Sequence, residues 1–160
     1  MITIYQLSIG TPSEKILACM ASVRTYATRN GFDYQVSTDL PDEIKNKFGQ
    51  KNIRNLSDFW KVGILANREY SLVIDWDVML SESFNPVLND AILVNHMGDN
   101  FLYNGDDKEM FKIIQDVMIS DFKSENIQGQ LFHAFCKCVE NKKIEINGEN
   151  ILNETGYCHG

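Results

Sequence analysis

Tyr70-Ser71-Leu72-Val73-Ile74-Asp75-Trp76-Asp77 is the stretch that decides the reading of this chain. Tyr70 to Ile74 is a short apolar run, which reads as a strand buried on both faces. It ends in Asp75-Trp76-Asp77. Open α/β sheets hold their ligands beyond the C-terminal ends of strands, so the two carboxylates stand where a ligand is expected. Carboxylates two residues apart at a strand end can reach one hard cation that keeps positions for water and phosphate oxygens. A cation there would stabilise a diphosphate leaving group. Spacing alone does not separate this from two surface turn residues. Twelve aspartates in 160 residues give about one Asp-x-Asp by chance, so context has to carry the motif.

The context begins just upstream. Asn55-Leu56-Ser57-Asp58 reads as a helix start, and the helix runs to about Arg68. Asp58 and Lys61 are one turn apart and share a face. A surface ion pair would account for them. The rest of the helix is apolar, though (Phe59, Trp60, Val62, Ile64, Leu65, Ala66), so a charged pair here suggests groups aimed into a crevice. Further upstream, Ile2 to Ile9 reads as a strand. Ser13 caps a helix with Ile16, Leu17, Met20, Val23 and Ala27 on its inner side, and Asn30-Gly31 ends it. Phe32 to Ser37 is a second strand, which makes the opening β-α-β. Asp39 to Arg54, with Lys45, Lys47, Lys51 and Arg54, is a polar loop with a short helix.

Downstream, Ala91 to Asn95 and Phe101 to Asn104 are short strand candidates. Gly105-Asp106-Asp107 caps a helix whose face is Met110, Ile113, Ile114, Val117 and Met118. Its position as cap and first-turn acids explains Asp106 and Asp107 without a catalytic role. A last helix carries Leu131, Phe132, Phe135 and Val139 on one side, Lys143 to Asn147 reads as a strand, and Asn147-Gly148 is a turn signal. His133 reads as structural, and His96 as a satisfied or surface residue. Strands alternating with helices predict an α/β class: one domain over residues 1–160, a mixed sheet with helices on both faces, and Asp75 and Asp77 at its C-terminal edge.

Composition agrees. The chain is 44% hydrophobic and 23% charged with three prolines, which excludes a disordered or low-complexity segment. No apolar run approaches the roughly 18 residues of a membrane span, and Met1-Ile2-Thr3-Ile4 lacks the features of a secretion signal. A cytoplasmic protein with reduced cysteines is the expectation. Cys136 and Cys138 lie two apart in a helical pattern and diverge, so they do not suggest zinc. The net charge of −7 argues against a nucleic-acid binder. The charge is lopsided: nine Lys and Arg against seven acids up to residue 74, six against fifteen beyond it. The acidic half is a solvated surface or a holder of a cation that helps bind an anionic ligand.

Ser57-Asp58-Phe59-Trp60-Lys61-Val62-Gly63-Ile64-Leu65, followed by Leu72-Val73-Ile74-Asp75-Trp76-Asp77-Val78, resembles the core of the GT-A-type glycosyltransferases. The group is the one with a DXD-containing sugar-binding region, which includes capsular-polysaccharide transferases and mannosyltransferases. Ile4-Tyr5-Gln6-Leu7-Ser8-Ile9-Gly10 is similar to that family's first nucleotide-binding strand, Asn100-Phe101-Leu102 to a later Asn-bearing strand, and Thr155-Gly156 to a late Thr-Gly. Three positions depart from the pattern. Lys61 stands for the usual Arg, Ser8 for a base-stacking aromatic, and Arg68-Glu69 for Gly-Gly.

The resemblance implies a hexosyltransferase that takes a nucleotide-diphosphate sugar (a UDP- or GDP-sugar), uses Mn²⁺ or Mg²⁺ and serves a glycan or protein acceptor, with retention at the anomeric carbon. It implies that Asp77 binds the metal directly, that Asp75 holds the ribose or the metal through water, and that the late His159 completes the metal shell. It further implies that Asp58 and Lys61 contact sugar and phosphate, and that Tyr5, Gln6, Leu7, Ser8, Trp76 and Asn100 flank the nucleotide. A second expectation, favoured by the short chain, Lys61 and Ser8, is a non-catalytic module of this fold that binds a sugar nucleotide or a protein partner.

Overall fold

The computed structural model describes residues 1–49, 53–93, 100–123, 131–145 and 157–159, and of residues 54, 55, 92, 93, 122, 123 and 157–159 the backbone alone. The chain packs as two compact units. The first comprises Met1–Asp39, Tyr70–Gly105 and Gly148–Gly160. Its elements are β1 (Thr3–Leu7), α1 (Glu14–Asn30), β2 (Asp33–Ser37), β3 (Ser71–Ile74), β4 (Val78–Leu80), β5 (Ile92–Leu93), β6 (Phe101–Tyr103) and β7 (Tyr157–His159). Five strands form one sheet in the order β2-β1-β3-β6-β5. β1 is parallel to β2 and β3, while β6 runs antiparallel to both β3 and β5. β4 and β7 form a separate antiparallel pair. The α/β class and the mixed sheet are those expected.

β3 is buried at every position. Ile4, Leu72, Ile74, Phe101 and Tyr103 share one face and cluster with Val23, Tyr26 and Ala27 of α1. Tyr5, Val73 and Leu102, on the opposite face, are buried as well. Burial on both faces is why the run lacks polar alternation. α1 follows its signals: Ser13 Oγ accepts the Ile16 N–H, and Gly31 takes φ 67°, a left-handed conformation that suits glycine, with its N–H turned back to Ala27 and Thr28. The buried stripe is Cys19, Met20, Val23, Tyr26 and Ala27. Leu17, expected beside it, is 52% exposed.

The strand expected from Tyr70 begins instead at Ser71. Tyr70 has φ 51°, outside the β region. Its N–H bonds the Gly105 carbonyl at 2.6 Å and its carbonyl accepts the Thr3 N–H at 3.0 Å. It thereby leads the chain into the sheet beside β1.

Tyr26 lies among Phe32 and Phe84, with ring centroids 5.9 and 5.5 Å away. Its hydroxyl finds no hydrogen-bond partner among the described residues. Burial pushes the phenol pKa up to about 12, against the opposing pull of Arg29. Between the unfolded value of 10.0 and that figure the folded chain keeps a proton the unfolded chain has lost. Stability from this group is therefore full below pH 10 and falls as the pH rises towards 12. Tyr26→Phe is expected to lessen the alkaline fall in melting temperature. At neutral pH it should cost nothing, because a buried hydroxyl without a partner contributes no stability. Melting curves at neutral and alkaline pH check this, and equal alkaline losses in the two proteins would refute it.

The second unit, Leu40–Glu69 and Asp106–Asn147, is helical. It holds α2 (Asp42–Phe48), α3 (Ile53–Asn67), α4 (Lys108–Lys123) and α5 (Leu131–Glu140). α3 begins two residues before the expected start at Asn55. It buries Leu56, Phe59, Trp60, Val62, Leu65 and Ala66, as a helix apolar over most of its surface must. Phe48 of α2 stacks on Phe59 with centroids 3.9 Å apart. Asp107 Oδ1 accepts the Met110 N–H and caps α4, while Asp106 is exposed. On α4 the buried residues are Met110, Phe111, Ile114 and Met118. On α5, Cys138 is buried, Cys136 half-buried and His133 exposed.

The expected strand Lys143 to Asn147 is not a strand over its described part, 143–145. Lys142, at φ 54°, turns the chain, and the Lys143 N–H bonds the Cys138 carbonyl, so these residues close α5. Residues 146 and 147 lie outside the described residues, as do Lys51, His96, Thr155 and Gly156.

Candidate active site

The site is built where β3 ends. The Asp75 N–H bonds the Asn100 carbonyl at 2.9 Å, and the Asp75 carbonyl accepts the Val78 N–H at 3.3 Å. Asp75-Trp76-Asp77-Val78 is thus a hydrogen-bonded turn with its carboxylates at the first and third positions. Asp75, Trp76 and Asp77 are all half-buried. The Asp75 carbonyl also accepts Gln6 Nε2 at 3.1 Å. Gln6 is completely buried, and its Oε1 accepts the Tyr34 hydroxyl at 2.6 Å.

β4 leaves this turn at once, and its register with β7 sets Val78 opposite His159. The backbone of His159 is therefore the cross-strand neighbour of the residue that follows Asp77. Neither β4 nor β7 was expected from the sequence. Three residues of Val-Met-Leu or Tyr-Cys-His give a period-2 signal too little length to register. β4 is anchored on α1, where Ser22 Oγ accepts the Leu80 N–H at 2.9 Å. Arg29 donates to the carbonyls of Glu82 and Phe84 just beyond it.

The turn carries two carboxylates, and a histidine stands at the adjoining register position; carboxylate and imidazole are both residue types that Mn²⁺ accepts as ligands. Among the described residues, no three His, Cys, Asp or Glu side chains are grouped so that they could hold a metal ion. His159 is described by its backbone only.

The other candidates have partners of their own. Tyr5 and Ser8 are buried, Leu7 is half-buried, and the Ser8 N–H bonds the Ser37 carbonyl. Asn100 is buried beside the turn it holds. The side chains of Asp58 and Lys61 in α3 are only 7% and 8% exposed, with Oδ1 3.6 Å from Nζ. The pair forms as the spacing predicts, and it is buried. Asp58 Oδ2 also accepts the Leu131 N–H at 3.2 Å. That places a carboxylate on the positive end of α5. A depression of about 520 Å³ between α4 and α5, lined by Asp116, Ser120, Asp121, Lys137, Glu140 and Lys143 among others, holds none of the candidates. Burial pushes the Cys138 thiol pKa up, which marks an inert core cysteine.

No protein-family profile and no curated protein matches the sequence. Solved structures do. One described as PaToxG glycosyltransferase aligns over 88% of this chain and 68% of its own, with a TM-score of 0.60 at 9% identity. Another, a glycosyltransferase involved in glycosylation of the major capsid of PBCV-1, aligns over 88% and 76%, with a TM-score of 0.50 at 16% identity. At such identities the likeness is one of architecture: this chain has the fold of these two glycosyltransferases.

Proposed function

We propose that the chain is a glycosyltransferase that takes a nucleotide-diphosphate sugar with a divalent cation at Asp75 and Asp77. The observation that carries this is the Asp75–Val78 turn at the C-terminal end of β3, within a fold shared with glycosyltransferases. Asp77 is the direct ligand, Asp75 the ribose or water-bridged partner, and His159 the third ligand. The cation, Mn²⁺ or Mg²⁺, supplies positive charge to the diphosphate as it leaves. The chain's own part is positional: the turn presents two anions together, and β4 with β7 fixes what adjoins them. Two carboxylates and two phosphates repel at close range, so a donor without the cation is disfavoured.

No described helix is long and apolar enough to cross a membrane, and the acceptor in this reading is a glycan or protein. The test is a thermal-shift series with UDP- and GDP-sugars in Mn²⁺ and in EDTA, followed by assay of released nucleoside diphosphate. A donor at 100 times its Kd stabilises by about 2.7 kcal/mol, which raises the melting temperature by roughly 5–10 °C for a chain this size. The rise is expected with Mn²⁺ and absent in EDTA. An equal rise in EDTA defeats the metal-bridged site, and binding without turnover makes the chain a non-catalytic module.

A further inference from the structure

We propose that Gln6, oriented by Tyr34, is a positioning residue for the Asp75-Trp76-Asp77 turn. The inference rests on the metal site proposed above. Gln6 sits on the central strand of the parallel part of the sheet and is completely buried. A buried amide is tolerated only where its polar atoms find partners. Here both ends do: Tyr34 of β2 on one side and Asp75, the residue that follows β3, on the other.

The orientation of the amide follows from its partners. The Asp75 carbonyl can only accept, so the NH₂ must face it. The carbonyl oxygen of Gln6 then faces Tyr34, whose hydroxyl donates. Burial raises the Tyr34 pKa, which keeps that donor protonated. The Arg24 guanidinium of α1 lies 5.4 Å from the centre of the Tyr34 ring and steadies it. Four groups thus line up from α1 through β2 and β1 to one carbonyl.

That carbonyl governs the turn. It also accepts the Val78 N–H, while the N–H of the same residue is held by Asn100. The direction of a peptide carbonyl fixes ψ of its own residue and the plane of the next peptide bond. Setting the Asp75 carbonyl therefore sets the course of the chain into Trp76 and Asp77. The Gln6 side chain is spent on this and not on a nucleotide. Core filling alone would be served as well by Met, which has nearly the same volume and shape but cannot donate to a carbonyl.

The experiment compares wild type, Gln6→Met, Tyr34→Phe and Asp77→Asn, each confirmed folded by circular dichroism. Mn²⁺ affinity is read by calorimetry, and amide exchange at Val78 is read by NMR without metal. Supporting groups around metal ligands typically change affinity by about 10–100-fold, so Gln6→Met is expected to weaken Mn²⁺ by about tenfold. Tyr34→Phe should weaken it in the same direction by less. Val78 exchange should speed up in both metal-free variants. Wild-type affinity and unchanged Val78 exchange in Gln6→Met overturn the inference even if its melting temperature falls, because that is what a merely structural glutamine would give. If Gln6→Met does not fold, Tyr34→Phe decides by the same two readouts. A wild-type chain that binds no Mn²⁺ overturns the proposed function and the metal part of this inference together. The Val78 exchange rates report on the turn independently of that result.

Discussion

Asp77→Asn is expected to abolish Mn²⁺-dependent binding of a nucleotide sugar while the protein stays folded. The substitution keeps the size of the side chain and its position in the turn, but replaces an anionic oxygen with an amide. Hard divalent cations take charged oxygen ligands. Loss of a direct ligand should therefore exceed the 10–100-fold effect usual for supporting residues, so an affinity loss above about 100-fold is expected. Stability should move little, within about 0.5 kcal/mol, because the side chain is half-buried and belongs to no core cluster. Calorimetric Mn²⁺ titration with a UDP- or GDP-sugar, beside a urea melt, reads both quantities. Asp77→Asn binding like wild type would reduce the Asp-x-Asp to the chance match that its base rate allows.

The largest loss of stability is expected from Asp58→Ala. Its carboxylate answers the Lys61 ammonium and the Leu131 N–H within α3 and α5, at 7% side-chain exposure. Breaking a buried ion pair from one side typically costs about 3–5 kcal/mol, since the remaining charge stays out of water. With about 2–4 °C per kcal/mol for a chain this size, the melting temperature should fall by roughly 10 °C. Asp58→Asn should lose less, because its side-chain oxygen can still accept from Leu131. A double change, Asp58→Leu with Lys61→Met, should lose less than Asp58→Ala, since no charge is then stranded. Urea melts of the four proteins separate these cases. A loss below about 1 kcal/mol for Asp58→Ala would mean that water reaches the pair after all.

What the sequence disclosed and what it withheld divide along physical lines. Signals carried by one residue's own backbone preference were legible: the Ser13 cap, the left-handed Gly31, and the cap at the start of α4. The apolar run of β3 was legible because burial on both faces removes polar alternation altogether. The two-residue strand β5 falls within the expected candidate Ala91 to Asn95, but the three-residue strands β4 and β7 were not legible, since their pairing is set by partners far away in the chain. Lys143 to Asn147 misled because Ile144 and Ile146 alternate with polar residues, although its described part serves to close α5. Asp58 and Lys61 share a face by spacing, and the apolar remainder of their helix already spoke against a surface pair, but the bond from the Leu131 N–H to Asp58 joins residues far apart in the chain and was invisible. Of the candidate site, the Asp-x-Asp could be placed at the end of β3, but the link from Tyr34 through Gln6 could not. Nothing in a sequence marks which strands a side chain will bridge.

The hydrogen bond from Tyr70 to Gly105 has a consequence for how this protein can change over time. Asp75, Asp77 and Asn100 all lie on the stretch between those two residues, whose ends meet at 2.6 Å. The connections inside a segment that leaves and rejoins the chain at one point can grow or shrink without altering the distance its flanks must span. Loop length enters chain entropy only logarithmically, at about 0.6 kcal/mol per doubling. The stretch that carries the carboxylates is thus a cassette. What can diverge within it is the length of the exposed connections, while β3, β4 and β6 stay fixed by their packing on β1 and α1.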